Sequence, residues 1–194
     1  MHSIVRFAVL ATAMLVVGCA HQINITPPLN TLDARDIVKI DKVVGYYISP
    51  ADRTKEVETP GGGGDKVKYR PYQESEPALK QVLSNLFTKV VSIPSLDDKQ
   101  FIASNNIAFL FVPTIETESS SDSSFTWPPT KFTVTLDSRA VSPTGTTVWQ
   151  KKVKGQGQAE FSEFKHDLSL AARRANRDAF MNLQREINAA TEFR

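Results

Sequence analysis

The sequence has one cysteine, three histidines and almost no surplus of either charge. Each shortage removes a class of function. A single cysteine, Cys19, closes no intramolecular disulfide and assembles no cysteine-based zinc site. With 23 Lys and Arg against 21 Asp and Glu, the net charge of +2 offers no concentrated basic face of the kind nucleic acid requires. No apolar run approaches the roughly 20 residues that a bilayer-spanning helix needs. What remains is ordinary: 41% hydrophobic and 23% charged residues over 194 positions. That composition excludes a disordered chain, a collagen-like repeat and a polytopic membrane protein. The length suits one domain with an appendage.

The appendage is N-terminal. Arg6 precedes an apolar run from Phe7 to Val17, too short to span a bilayer and suited to the h-region of a secretory signal. Val16-Val17-Gly18-Cys19 follows, and it resembles the lipobox of bacterial lipoproteins. The resemblance implies cleavage after Gly18, diacylation of the Cys19 sulfur and then acylation of its amine. The chain's one cysteine stands where a thiolate would take lipid, and the small Gly18 gives a peptidase access. Each buried acyl methylene contributes about 0.8 kcal/mol, so several chains hold a protein on a membrane where one would not. Ala20 comes next; by the enterobacterial sorting rule, a residue other than Asp at this position implies the outer membrane, with the domain facing the periplasm. On this reading residues 1–18 are a signal peptide and 19–36 the lipidated cysteine and a tether. Residues 37–194 are then a single periplasmic α+β domain. The tether carries Pro27-Pro28 and scattered Asn and Asp, with a short strand expected over 22–26.

Within the domain, Val38, Ile40, Val44, Tyr46 and Ile48 share one parity, the period of a strand. Pro50, Pro60 and Gly61 to Gly64 mark a loop, with Lys66–Arg70 returning as a loose hairpin. Leu79, Val82, Leu83, Leu86, Phe87 and Val90 fall on one helical face. They predict a helix from Glu76 to Lys89, capped by Ser75 with Pro77 in its first turn. A short strand is expected over 90–93 and a weak helical turn over 96–104. Ile107–Ile115 is apolar on both parities, as in a central strand covered on both faces. Lys131–Val141 alternates cleanly and Thr146–Lys154 returns from a Ser142–Gly145 turn, completing an antiparallel meander. A last helix over 167–190, with Asp167 as cap, lays Ala171, Ala172, Ala175 and Ala179 against its support. The predicted architecture is a small, mainly antiparallel sheet with two amphipathic helices packed on one face.

Lipobox, strand, helix, meander and final helix in this order resemble the YajG-like family of outer-membrane lipoproteins. More loosely they resemble LptE and the auxiliary lipoproteins of lipid-transport ABC systems. The resemblance implies a non-enzymatic lipoprotein acting as a periplasmic binding or envelope-assembly subunit. It would be anchored through acyl chains such as palmitate on Cys19 and would meet an envelope protein partner. The alternative it implies is a transport auxiliary that recognises lipid or lipopolysaccharide.

A third reading, a periplasmic hydrolase, needs a constellation of reactive groups that the residues do not supply. His2 leaves with the signal, His21 adjoins the anchor, and His166 beside Asp167 reads as a solvated helix start. Pro60 to Lys66 lacks the Gly-Lys-Ser/Thr that opens a helix in a phosphate-binding loop. Glu56, Glu58, Glu74, Glu76 and Asp97-Asp98 have no EF-hand spacing. No catalytic residue, metal site, cofactor or nucleic-acid contact is therefore expected. Arg173, Arg174, Arg177 and Arg185 read as a solvated helix face. The most unusual stretch, Glu118–Thr130, joins a serine-rich run to Phe125, Trp127, Pro128 and Pro129. These four are the candidate partner-binding residues, because loops carry function and Trp is enriched at binding hot spots.

Overall fold

A computed structural model describes residues 20–32, 37–62, 65–122, 128–164 and 166–194. The described elements are β1 (Ala20–Gln22), β2 (Ile40–Tyr46), α1 (Pro50–Thr54), β3 (Val57–Pro60), β4 (Lys66–Tyr69), α2 (Pro71–Leu86) and β5 (Phe87–Ser92). They continue as α3 (Lys99–Ser104), β6 (Ile107–Ser120), β7 (Lys131–Val141), β8 (Thr147–Gln158), α4 (Phe161–Phe164) and α5 (Leu170–Ala189). Short 3-10 turns lie at Leu29–Thr31 and Thr191–Phe193. The strands form a five-stranded sheet, ordered β5-β2-β6-β7-β8, and a three-stranded sheet, ordered β1-β4-β3.

The α+β class holds, with α2 and α5 on one face of the larger sheet, but the sheets are mixed. The meander β6-β7-β8 is antiparallel, whereas β2 runs parallel to both β5 and β6, and β1 parallel to β4. A parallel neighbour needs a long crossover, usually through a helix, and α2 supplies one between β2 and β5. Period-two alternation reports which face a residue occupies and not the direction of the strand beside it. Beneath the helices, Phe87, Phe111, Trp149 and Phe193 form one aromatic cluster, with Phe193 5.4–5.8 Å from the other three rings. On the opposite face α3 covers a smaller cluster of Ile93, Ile102, Ile107, Leu110 and Val141.

Several predicted boundaries move. Helix α2 starts at Pro71, not Glu76, so Ser75 caps nothing: it is fully buried, and Pro77 sits beyond the first turn. Phe87 already belongs to β5, which follows α2 without a loop. The 49–66 loop contains order. Ser49 caps α1 by accepting the Asp52 N–H at 3.0 Å, and β3 and β4 form the hairpin. Strand β6 runs on to Ser120, taking in the first serines of the expected loop. The last helix begins at Leu170; Asp167 instead accepts the Ser169 N–H and pairs with Arg173.

The expected tether is part of the fold across its described residues. Ile23, Ile25 and Leu32 are 4%, 0% and 2% exposed. A segment with three such anchors cannot swing free, because each large apolar side chain returned to water costs about 1.5–3 kcal/mol. The strand expected over 22–26 lies slightly earlier, at 20–22.

Candidate functional site

Residues 20–32 lie as a strap along α2 and α5, and the strap is where buried polar chemistry concentrates. The two helices run in the same direction: Ser75 meets Asn176 near their starts, and Asn85 meets Gln184 near their ends. Both amides reach the strap. Asn176 Nδ2 donates to the Ile25 carbonyl at 2.8 Å, and Asn85 Nδ2 donates to the Leu32 carbonyl at 2.8 Å. Glu74 completes the clamp by accepting the Ile25 N–H at 2.7 Å, while its own carbonyl accepts the Thr26 hydroxyl. Buried backbone groups must be partnered, and here side chains do for the strap what a neighbouring strand would otherwise do. The signal was present in the sequence as Ser75, Asn85, Asn176 and Gln184 set within apolar helical faces. Pattern alone could not say which backbone they would meet.

Two open clefts flank the strap. One, of about 500 Å³, is lined by Leu29, Tyr46, Glu76, Pro77 and Lys80 among others. At its wall Arg53 grips Glu76 with two hydrogen bonds of 2.8 Å, and that pairing holds the Glu76 carboxyl below its ordinary value. Burial pushes the Tyr46 hydroxyl up, against its hydrogen bond with Ser92. The second cleft, about 470 Å³, is polar, with Asn24, Glu56, Arg70 and Glu74 on its walls.

The carboxylates weighed as cation ligands do not converge. Glu76 holds Arg53, Glu58 pairs with Lys66 at 3.3 Å, Glu56 faces Lys68 at 3.8 Å, and Glu74 clamps the strap. Asp98 caps α3 through the Phe101 N–H at 2.9 Å. Among the described residues no group of three or more His, Asp or Glu could hold a metal ion. His21 contacts Asp65 at 3.2 Å, and His166 is exposed beside an Asp167 committed to Arg173. Gly61 and Gly62 belong to the β3–β4 link, closed by the Gly61 N–H donating to the Asp65 carbonyl. The element that follows that link is the strand β4 and not a helix.

On α5, Arg173 pairs with Asp167 and Arg174 with Glu163, both at 2.8 Å, while Arg177 is exposed. Pro28 and the three arginines border a cleft of about 240 Å³. Of the candidate partner-binding residues, Phe125 and Trp127 lie outside the described residues, as do Gly18 and Cys19. Pro128 and Pro129 are buried. Across the loop's ends, Asp122 pairs with Lys131 at 2.8 Å and its N–H donates to the Thr130 hydroxyl.

No described helix is long and apolar enough to cross a membrane. The chain matches no protein-family model and no curated protein sequence. It is similar to solved structures at low identity. A Xanthomonas campestris protein of the DUF330 family is 10% identical with a TM-score of 0.49, covering 88% of this chain and 91% of its own. A minor lipoprotein from Acinetobacter baumannii is 12% identical with a TM-score of 0.42, covering 76% and 93%. A PelC dodecamer subunit from Paraburkholderia phytofirmans is 14% identical with a TM-score of 0.41, covering 74% and 92%. The chain is thus similar in trace to proteins of Gram-negative bacteria that include a lipoprotein, and no residue role passes from them to it.

Proposed function

We propose that the chain is a lipid-anchored envelope protein, acylated on Cys19, whose domain serves as a non-enzymatic binding or assembly subunit. The observation that carries this reading is Val16-Val17-Gly18-Cys19 at the end of an h-region, with the only cysteine of 194 residues at its last position. Ala20 extends the proposal to the outer membrane with the domain in the periplasm, and the order of elements extends it to a YajG-like role beside an envelope partner. Palmitate labelling in a Gram-negative host tests the anchor. The wild-type chain should incorporate label and migrate as a processed form, and Cys19→Ala should remain an unlabelled precursor. Equal labelling of the two would overturn the proposal.

A further inference from the structure

We infer that the domain stands upright on the lipid surface, resting on the end that carries the β3–β4 hairpin, with its long strands directed away from the membrane. The inference rests on the proposed acylation of Cys19. Its physical content is the length of the leash. Ala20 pairs with Lys66, His21 with Val67 and Gln22 with Lys68, so β1 is in register with β4 from its first residue. The strap stays docked beyond it: the Ile23 N–H donates to the Lys68 carbonyl at 3.0 Å, and Ile25 is fully buried with its carbonyl held by Asn176. Only one peptide unit, about 3.8 Å between Cα atoms, then separates an acylated Cys19 from a residue fixed in the sheet. A lipoprotein on a long flexible linker could take any orientation; this one could not.

The register says which surface is brought down. Ala20 lies beside Lys66, and Lys66 opposite Pro60, which puts the hairpin tip next to the anchor. Ser119, near the end of β6, donates its hydroxyl to the Pro60 carbonyl. Ser120 pairs with Lys131, and Lys131 with Gln158, so the end of β6, the start of β7 and the end of β8 share this end of the molecule. The opposite end carries Asn106 and the Ser142–Gly145 turn. Along the 14 residues of β6 the two ends are roughly 45 Å apart at the usual rise of a strand.

Charge does not drive this orientation. Lys66 pairs with Glu58, Lys131 with Asp122, and His21 contacts Asp65, so each of these basic groups near the anchor faces a carboxylate. The orientation is therefore set by the covalent leash and should not depend on anionic lipid or on salt.

The test places one fluorophore at either end of the acylated, full-length protein, reconstituted in vesicles of phosphatidylethanolamine and phosphatidylglycerol containing a headgroup-labelled acceptor lipid. Cys19 is blocked by lipid, so Ser120→Cys and Thr144→Cys each give a single labelling site, both exposed and neither charged. Energy transfer should be severalfold greater from position 120 than from position 144, and unchanged between low and high salt. Inserting about twelve Gly/Ser residues between Cys19 and Ala20 gives a coil with a reach of roughly 20 Å and should erase most of that difference. Equal transfer from both positions in the bound, uninserted protein, or greater transfer from 144, overturns the upright orientation while leaving the anchor intact. Failure of the protein to partition into vesicles overturns the anchor and the orientation with it.

Discussion

At one edge of the five-stranded sheet a helix supplies the hydrogen bonds that a further strand would have made; at the other, exposure to water does. Along β8, three residues one turn apart on α5 meet the outward backbone. Arg174 donates to the Gln158 carbonyl at 2.7 Å, Asp178 accepts the Gln156 N–H at 3.0 Å, and Asn182 donates to the Lys154 carbonyl at 2.6 Å. Such a spacing matches alternate strand residues to successive helical turns, because two residues of strand and four of helix advance similar distances. The helix reaches the strand because neither surface has bulk. A Cβ on Gly155 would lie 2.1 Å from the Ala179 nitrogen, and one on Gly157 2.0 Å from the Ala171 carbonyl oxygen. Strand β5 has no such cover. The Ile93 N–H donates to the Tyr46 carbonyl, so alternation points the N–H and C=O of Val90 and Ser92 away from β2. No hydrogen bond to those groups occurs among the described residues. Shortness and the exposed Thr88 and Lys89 guard that edge instead. An edge of twelve residues takes a helix; one of six takes charge and brevity.

Breaking the close approach should have the largest effect. Gly155→Val forces either α5 off β8 or the strand out of the sheet, since the contacts it would meet are helix backbone and not movable side-chain tips. The expected loss is at least about 4 kcal/mol, enough to remove a cooperative transition in a marginal domain. Urea unfolding followed by circular dichroism measures it. A variant with a near wild-type midpoint would show that the helix is not seated where described.

The β5 edge offers a sharper pair. Proline at Val91 removes an N–H that points into the ladder toward β2, whereas proline at Val90 removes one that points to solvent. Val91→Pro should therefore be about 2–3 kcal/mol less stable than Val90→Pro in the same unfolding experiment. Equal losses would mean that β5 is paired on its outer side or not paired with β2.

These contrasts also show why part of the fold was legible and part was not. The bounds of β7 coincide with its apolar alternation, and Trp149, expected inside the returning strand, is buried. Both follow from which face a side chain takes, and that is what periodicity encodes. The helix stripe Ala171, Ala175, Ala179 was visible, but its counterpart, Gly155 and Gly157, lies beyond the strand end expected at Lys154, which β8 passes to reach Gln158. Their meaning depends on a helix more than ten residues away. Pro77 shifted the expected start of α2 because proline in a first turn is the commoner case; here Pro71 takes that place. The strap was read as a tether because its composition is that of a linker. Its burial comes from Asn85 and Asn176, long-range partners that no local pattern announces. Of the candidate site, the lipobox is read from contiguous residues. The clamp and the parallel pairings depend on contacts across the chain.

The smallest expected effect separates the two edges by pH. Arg174, which holds the Gln158 carbonyl at the end of β8, is itself gripped by both oxygens of Glu163. Arg174 first, and then the Glu160 N–H, lower the Glu163 carboxyl from 4.5 to about 2. A carboxyl depressed in the folded state adds stability above its unfolded value, and that contribution fades as pH falls from about 4.5 toward 2. Glu163→Gln should then melt slightly below wild type at neutral pH, with the two melting curves converging as pH drops through that window. The pair is solvent-exposed, so salt at about 1 M should shrink the gap at neutral pH. No carboxylate contacts Val90 among the described hydrogen bonds and ion pairs, so Val90→Pro should lower the melting temperature by a similar amount at pH 7 and at pH 3. Parallel curves for Glu163→Gln and wild type across pH 2–7 would show that Arg174 needs no carboxylate to hold the β8 edge.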